Sequence, residues 1–444
     1  MFAASRPISG AMSLAPSAQP LTLATPQATP HPQAPVLSVP VVVGTRPEAI
    51  KVAPVILALR DSDCLRPIVI STGQHHRMVR RAAARAVSRR ARARSAPNAG
   101  ARCGYPGSMS CIAPEQPALH EPWSLGGLRL ANRLVLAPLA GIGNWFVRLQ
   151  AKRFGAGLVV SEMVSSFGLA YGNERTVREF LRIHPDEHPV SIQLFGHAAA
   201  IMREAASMAA DSGADLIDIN MGCPVKKVCK TGAGAALLDD PEKAIAIARA
   251  AAEGSGLPVT VKLRPGRTAG DRAGVELARR LAAEAGVAGI AFHPRHASQQ
   301  HSGGPDYGLA RELATALDVP VILSGGLSDE DSALRAYATS GTAAVMLARG
   351  SFGNPWRFGR LLGTYDGEPT AEEVVRELEW VIEAAEDHLG RERAGRYLRK
   401  FYPWYADTLG LTRRERQALV SAPTTAAARE ALAALGAAEP ARAA

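Results

Sequence analysis

The sequence predicts an α/β protein built on a (β/α)8 TIM barrel and followed by a small C-terminal helical domain. Two observations carry this. Eight short apolar runs recur at strand–helix spacing: Leu134–Ala140, Leu158–Met163, Val190–Phe195, Leu216–Met221, Val259–Leu263, Gly289–His293, Val321–Ser324 and Ala344–Ala348. Helical stretches such as Ala198–Ser212 and Pro241–Glu253 separate most of them, which favours a parallel sheet, and eight repeats in about 240 residues suit a closed barrel. Polar and glycine residues also collect just past the C-terminal ends of the runs, the catalytic face of such a barrel.

The region before the barrel reads differently. Met1–Ala34 is rich in Ser, Ala, Pro and Thr and is expected to be a disordered leader. Residues 35–81 read as strand, Gly turn, helix and second strand, a βαβ-like fragment too small to be stable alone. Residues 82–118 form a basic linker. The chain carries a net charge of +10, and Cys64–Pro114 holds ten Arg with no Lys, Asp or Glu. That stretch accounts for the whole net charge, so a broadly basic nucleic-acid-binding surface is excluded. The linker is either a basic arm for RNA phosphates or unselected sequence, with Met109 as a start for the barrel-bearing part. Five scattered Cys (64, 103, 111, 223 and 229) are too few for a disulfide framework and point to a reducing cytoplasm. No run approaches the roughly 18 apolar residues that span a bilayer.

The barrel is expected over residues 119–364. Strand one ends LAPLAGIGN, strand three QLFG and strand five VKLRPG. If alternation holds, Lys262 points to the barrel mouth. Strand six ends FHPRHASQQHSG, where His293 and Arg295 share a face. Strands seven and eight end LSGG and LARGSFGNPW, in which Gly325, Gly326 and Gly350 permit close backbone approach and Arg349 supplies charge. The richest stretch is Leu216–Leu238, LIDINMGCPVKKVCKTGAGAALL. Cys223 sits on a loop past strand four with Asn220, three lysines and two glycines. From composition alone, it is either a reactive thiol or a buried Cys beside solvated lysines. Residues 365–444 read as helical, with Arg391, Arg393, Arg396, Arg399 and Lys400 ahead of the aromatic run FYPWY, and Arg413, Arg414 and Arg416 after it. This pattern suits phosphates and stacked bases, or an ordinary helical cap with a solvated charged face.

The stretch NMGCPVKKVCKTGAGAALL, with the strand ends in order from Leu128 to Trp356, resembles the tRNA-dihydrouridine synthases. The resemblance continues more weakly to the C-terminus. It implies FMN-dependent reduction of tRNA uridine, with NADPH or NADH as electron donor and the C-terminal helices gripping tRNA. Hydride would go from flavin N5 to C6 and a proton from Cys223 to C5. The same resemblance implies that Pro138, Leu139, Ala140, Gln193, Lys262, His293, Ser324, Gly325, Gly326, Ala348 and Arg349 hold FMN, and that Asn220 and Arg295 meet substrate. No metal is expected, and the chain is expected to be a monomer. Separately, GTRPEAIK and STGQH in residues 35–81 resemble the start of the non-hydrolysing UDP-N-acetylglucosamine 2-epimerases, as a fragment without activity.

Three departures from the synthase pattern stand out: Gly143 replaces the usual Thr, and Ser324 and Gly326 replace Asn and Asp. The alternatives are another FMN-dependent barrel oxidoreductase acting on a small molecule, and a non-catalytic tRNA-binding protein. A thiol acid must keep its proton, and a free thiol of pKa about 8.5 does so unless cations lower it. Lys226 and Lys227 are therefore expected to point away from Cys223, toward RNA phosphate. Cys229, the competing thiol, lies outside the GCP triplet.

Overall fold

The computed structural model describes residues 37–43, 65–71 and 116–438. The chain divides into two units, residues 1–110 and 111–444. In the first, β1 (Leu37–Val43) pairs in parallel with β2 (Leu65–Ser71), the pairing a βαβ-like fragment requires. The expected leader over 1–34, the helix expected between β1 and β2 and most of the basic linker lie outside the described residues.

In the second unit, β3 (Trp123–Leu125) and β4 (Leu128–Leu130) form an antiparallel hairpin. Leu125 and Leu130 are fully buried. A side chain at Gly126 would strike Pro258 and Ala288, and one at Gly289 would strike Leu125. The hairpin therefore plugs the end of the barrel where strands begin. The barrel strands follow as β5 (Leu134–Leu136), β6 (Leu158–Val160), β8 (Val190–Phe195), β9 (Leu216–Met221), β10 (Val259–Leu263), β11 (Gly289–Phe292), β12 (Val321–Ser324) and β13 (Ala344–Leu347), with a two-residue β7 (Val164–Ser165) beside β8. All pair in parallel in sequence order, β13 returns to β5, and β6 pairs with β8, which closes the eight-stranded barrel. Almost every strand residue is buried, as strands covered on both faces must be.

Two strands fall short of their apolar runs by three residues or more. β5 stops at Leu136, because Pro138 offers no N–H and the N–H groups of Ile142 and Gly143 turn back to the Leu139 carbonyl. β6 stops at Val160, and the run resumes as β7 after Glu162 and Met163 turn toward the barrel mouth.

The helix Ala371–Leu389 begins the C-terminal part, with Thr370 and Glu373 as a capping box, and shorter helices follow to residue 438. This part packs directly on the barrel helix Trp145–Arg153. Gln150 donates to Glu377 at 2.9 Å and to Tyr405 at 2.8 Å, and Arg153 pairs with Glu377.

Candidate active site

The strand ends surround one cavity of about 1030 Å³ at the C-terminal face of the barrel. Its wall includes every residue the sequence nominated: Pro138, Leu139, Ala140, Gln193, Asn220, Cys223, Lys262, His293, Arg295, Ser324, Gly325, Gly326, Ala348 and Arg349. Strand alternation puts them there, since register pairs Gln193 with Asp218, Asp218 with Thr260 and Asn220 with Lys262.

A chain of hydrogen bonds climbs from the barrel interior to the thiol loop. Asp218, fully enclosed, accepts from Thr260 Oγ1 at 2.7 Å and from Gln193 Nε2 at 2.6 Å. Gln193 Oε1 accepts from Asn220 Nδ2 at 2.9 Å. Asn220 Oδ1 accepts the N–H of Cys223 at 2.9 Å and that of Gly222 at 3.3 Å. Each amide orientation is set by its neighbour, so the barrel interior fixes the loop that carries Cys223. Asn220, expected at the substrate, spends both ends of its amide on this chain. Burial pushes the Asp218 carboxyl up and the Lys262 ammonium down. Lys262 makes no hydrogen bond or ion pair among the described residues and faces the cavity as a cation.

Cys223 is half-buried, and burial pushes its thiol above the ordinary range, outweighing Arg264 and Lys262, which pull the other way. The thiol therefore keeps its proton at neutral pH. Lys226 and Lys227 are both exposed; Lys227 lies outside the cavity wall, as expected, but Lys226 forms part of that wall with Cys223, against the expectation that both lysines point away. Cys229 is absent from the cavity wall, and its S–H is spent on the Cys223 carbonyl, at 3.3 Å. That carbonyl also accepts from the Ala235 N–H, and a side chain at Gly234 would strike it. The glycine is thus needed for the loop to fold back on Cys223.

Sequence reasoning missed Arg264. It is buried, donates from Nε to the Gly222 carbonyl at 3.0 Å, and reaches the carbonyls of Arg295 and Gln300 from its other nitrogens. It ties the Cys223 loop to the loop after β11. Burial and the nearby Arg295 lower its pKa to about 10, which leaves it charged. Its place two residues after Lys262, on the same face, was the available signal. Arg295, expected at the substrate, is 7% exposed, donates to the Gly303 carbonyl at 3.0 Å and lies 3.3 Å from His293 Nε2. Burial and three neighbouring cations hold His293 far below its usual range, so it is a neutral imidazole. Gly325 has φ +94, and a side chain there would lie 2.3 Å from the His293 ring. His293 can occupy its position only beside a glycine.

The C-terminal helices reach this site from the side. Tyr397 donates to the Ile142 carbonyl at 2.8 Å and accepts from Asn144, and Lys400 binds the Gly141 carbonyl. Glu162 accepts the Gly141 N–H at 2.6 Å. The aromatic run expected to stack bases does not do so. Phe401, Tyr402 and Tyr405 are buried in the core, and Trp404 packs on Phe352 with ring centroids 4.2 Å apart. Four of the nearby arginines are also engaged: Arg393 with Glu179, Arg396 with Glu392, Arg416 with Asp407 and Arg429 with Glu386. Arg399, Arg413 and Arg414 are exposed and make no ion pair among the described residues.

Comparison with known proteins places this architecture. A family model described as "Dihydrouridine synthase (Dus)" matches residues 135–439. A "Probable tRNA-dihydrouridine synthase" of Rhodobacter capsulatus is 39% identical over 294 residues, covering 64% of this chain and 89% of that protein. The "tRNA-dihydrouridine synthase B" of Xanthomonas axonopodis pv. citri is 35% identical over 288 residues, and that of Pseudomonas aeruginosa is 36% identical over 291. These two alignments cover 64% of this chain and 86% and 87% of the relatives. The family match begins beyond residues 35–81 and lends no support to the epimerase resemblance there.

Proposed function

The chain belongs to the dihydrouridine synthase family, and on that premise we propose that it reduces uridine in tRNA to 5,6-dihydrouridine, with FMN in the barrel mouth and NADPH or NADH as electron donor. The observation that carries this reading is Cys223: a protonated thiol in the wall of the cavity, held by a hydrogen-bond chain from the barrel interior.

The residues at the mouth fit FMN. The N–H groups of Gly325 and Gly326 donate to no acceptor among the described residues, which leaves them for a phosphate, with Arg349 beside them. Lys262, which makes no hydrogen bond or ion pair among the described residues, brings a cation to where electron density on a flavin pyrimidine edge would need one. Neutral His293 adds a hydrogen-bonding group without charge. Bound FMN would supply the hydride delivered to C6 of the uracil. Cys223 donates its proton to C5 and regains one from solvent before the next turnover. Asn220 and Arg264 hold the loop so that the sulfur faces the cavity. The uracil must leave its stack to reach the thiol, because its C5–C6 edge is covered inside folded RNA. We place this work in the cytoplasm, by a monomer. Among the described residues no helix is long and apolar enough to cross a membrane.

The direct test is to incubate the protein with unmodified tRNA and NADPH and to measure dihydrouridine in nuclease digests by mass spectrometry. A yellow protein that yields none would sink the reading. Lys262→Ala and Arg349→Ala should each lose roughly 1.5–3 kcal/mol of FMN affinity, the scale of a hydrogen bond to a charged group, with circular dichroism unchanged. Flavin titration that finds parent affinity in both variants would remove the assigned cofactor site. Residues 109–444 should retain FMN content and tRNA reduction without the first unit, because the cavity is built wholly from the second. Loss of both on truncation would contradict this.

A further inference from the structure

Phe401, Tyr402 and Tyr405 are buried and Trp404 is partly covered by Phe352, so the exposed ring best placed to stack a base lies elsewhere. Four large apolar side chains are exposed among the described residues, and Tyr171, at 75%, is the only aromatic one. It follows the short helix Ser166–Ala170, which starts directly after β7 at the barrel mouth. Its ring lies 5.9 Å from that of Phe167, and Phe167 stacks on His197 at 4.7 Å with an interplanar angle of 18°. Phe167, itself stacked on His197, backs Tyr171, so its exposed ring is braced. A hydrophobic side chain this exposed gains nothing for folding.

Contacts connect this platform to the thiol loop. Met163, just before β7, lies 3.8 Å from Asn220 Nδ2, and a side chain at Gly232 would meet the His197 side chain. The thiol loop presents Lys226, Lys227 and Lys230, all exposed and without hydrogen bond or ion pair among the described residues. On the segment after Tyr171, Arg175 and Arg178 balance Glu174 and Glu179, so the local excess of positive charge comes from the lysines. An exposed aromatic ring on a segment joined through Phe167 and His197 to a loop of exposed cations is an arrangement suited to unpaired nucleotides: the ring stacks a base and the cations hold phosphates.

We propose that Tyr171, braced by Phe167 and His197, stacks an unpaired nucleobase of the tRNA while Lys226, Lys227 and Lys230 hold the adjoining phosphates, a docking surface separate from the C-terminal helices. The proposal rests on the reading of the protein as a tRNA-uridine reductase. Extruding the target uridine leaves a gap in the stack, and a base flanking that gap is the natural occupant of the ring.

The test is tRNA binding to the flavin-loaded protein, measured across salt concentration. Tyr171→Ala should weaken binding roughly 10- to 100-fold, the scale of one base–aromatic stack, with the salt dependence unchanged, and Tyr171→Trp should restore it. Changing Lys226, Lys227 and Lys230 together to Gln should reduce the slope of log affinity against log salt by about 0.7 for each phosphate no longer neutralised. Leu334→Ala, which changes an exposed apolar residue on the helix Glu330–Ser340, should bind as the parent does. Parent protein that binds no tRNA would overturn the tRNA reading and this surface with it. Parent that binds while Tyr171→Ala binds equally well, or an unchanged salt slope in the lysine variant, would overturn this surface alone. A concentration-dependent dimer broken by Tyr171→Ala would assign the ring to a second copy of the chain instead.

Discussion

Cys223→Ala should yield a protein that keeps FMN, binds tRNA and is reduced normally by NADPH, but whose re-oxidation by tRNA is slower by about 10²–10⁴, the usual range for a lost general acid. The thiol lines the cavity and enters only the step that protonates C5, so nothing before that step should change. Cys229→Ala should be nearly silent, because that sulfur lies outside the cavity wall and only braces the Cys223 carbonyl. Stopped-flow mixing of reduced enzyme with unmodified tRNA separates the two. If Cys229→Ala is the slow variant, the acid is misassigned. The pH dependence follows from burial, which raises the Cys223 pKa. The acid is fully protonated below the ordinary thiol value of about 8.5 and loses its proton only as pH rises through the raised one. The parent rate should therefore be level through neutral pH and fall in the alkaline range, and the fall should be missing from Cys223→Ala.

The barrel was legible because each strand announces itself twice, by an apolar run and by the polar or glycine residues that end it. Cys223, Lys262 and His293 were found by that rule. What escaped was lateral. Arg264 acts through carbonyls on the loops after β9 and β11, and no local pattern reveals which loops will be neighbours. Asp218 alternates inward like any strand residue, yet its importance comes from Gln193 and Thr260 on the flanking strands. The run FYPWY misled for a related reason. Aromatics spaced among arginines describe a nucleic-acid groove and a helix packed by one face equally well. Gln150, Glu377 and Phe352, far away in sequence, decide for packing by giving Tyr405 a hydrogen bond and Trp404 a ring to lie on. The arginines were equally ambiguous, since the acids that pair with them, such as Glu179 and Glu386, lie on other helices.

Arg148→Ala should cost about 3–5 kcal/mol of stability, the range for removing one partner of a buried ion pair. Arg148 is 1% exposed and Glu187 fully buried. The guanidinium donates to both Glu187 oxygens, at 2.7 and 3.0 Å, and to the carbonyls of Gly143 and Arg182 at 3.1 and 2.7 Å. Without it the Glu187 carboxylate remains buried with no cation and the Arg182 carbonyl loses this donor, which is where the cost lies, while the Gly143 carbonyl keeps the Glu162 N–H. Glu187 also accepts the His184 N–H, so the segment between β7 and β8 should loosen too. Removing both charges, as Arg148→Met with Glu187→Leu, should recover part of the loss, because no lone charge is then left in the interior. Recovery should be incomplete, since the Arg182 carbonyl still lacks the Arg148 donor and the Gly143 carbonyl keeps only the Glu162 N–H. Urea unfolding of the parent, the single variant and the double variant gives the three values. A double variant no more stable than Arg148→Ala would show that the carbonyl contacts dominate. The effect should also reach the cavity. Gly143 closes the turn that follows Pro138–Ala140, its N–H on the Leu139 carbonyl and its own carbonyl on Arg148. FMN should therefore dissociate faster from Arg148→Ala at temperatures where the variant is still folded. Parent-like flavin release there would mean that Tyr397 and Lys400 hold the turn without help from Arg148.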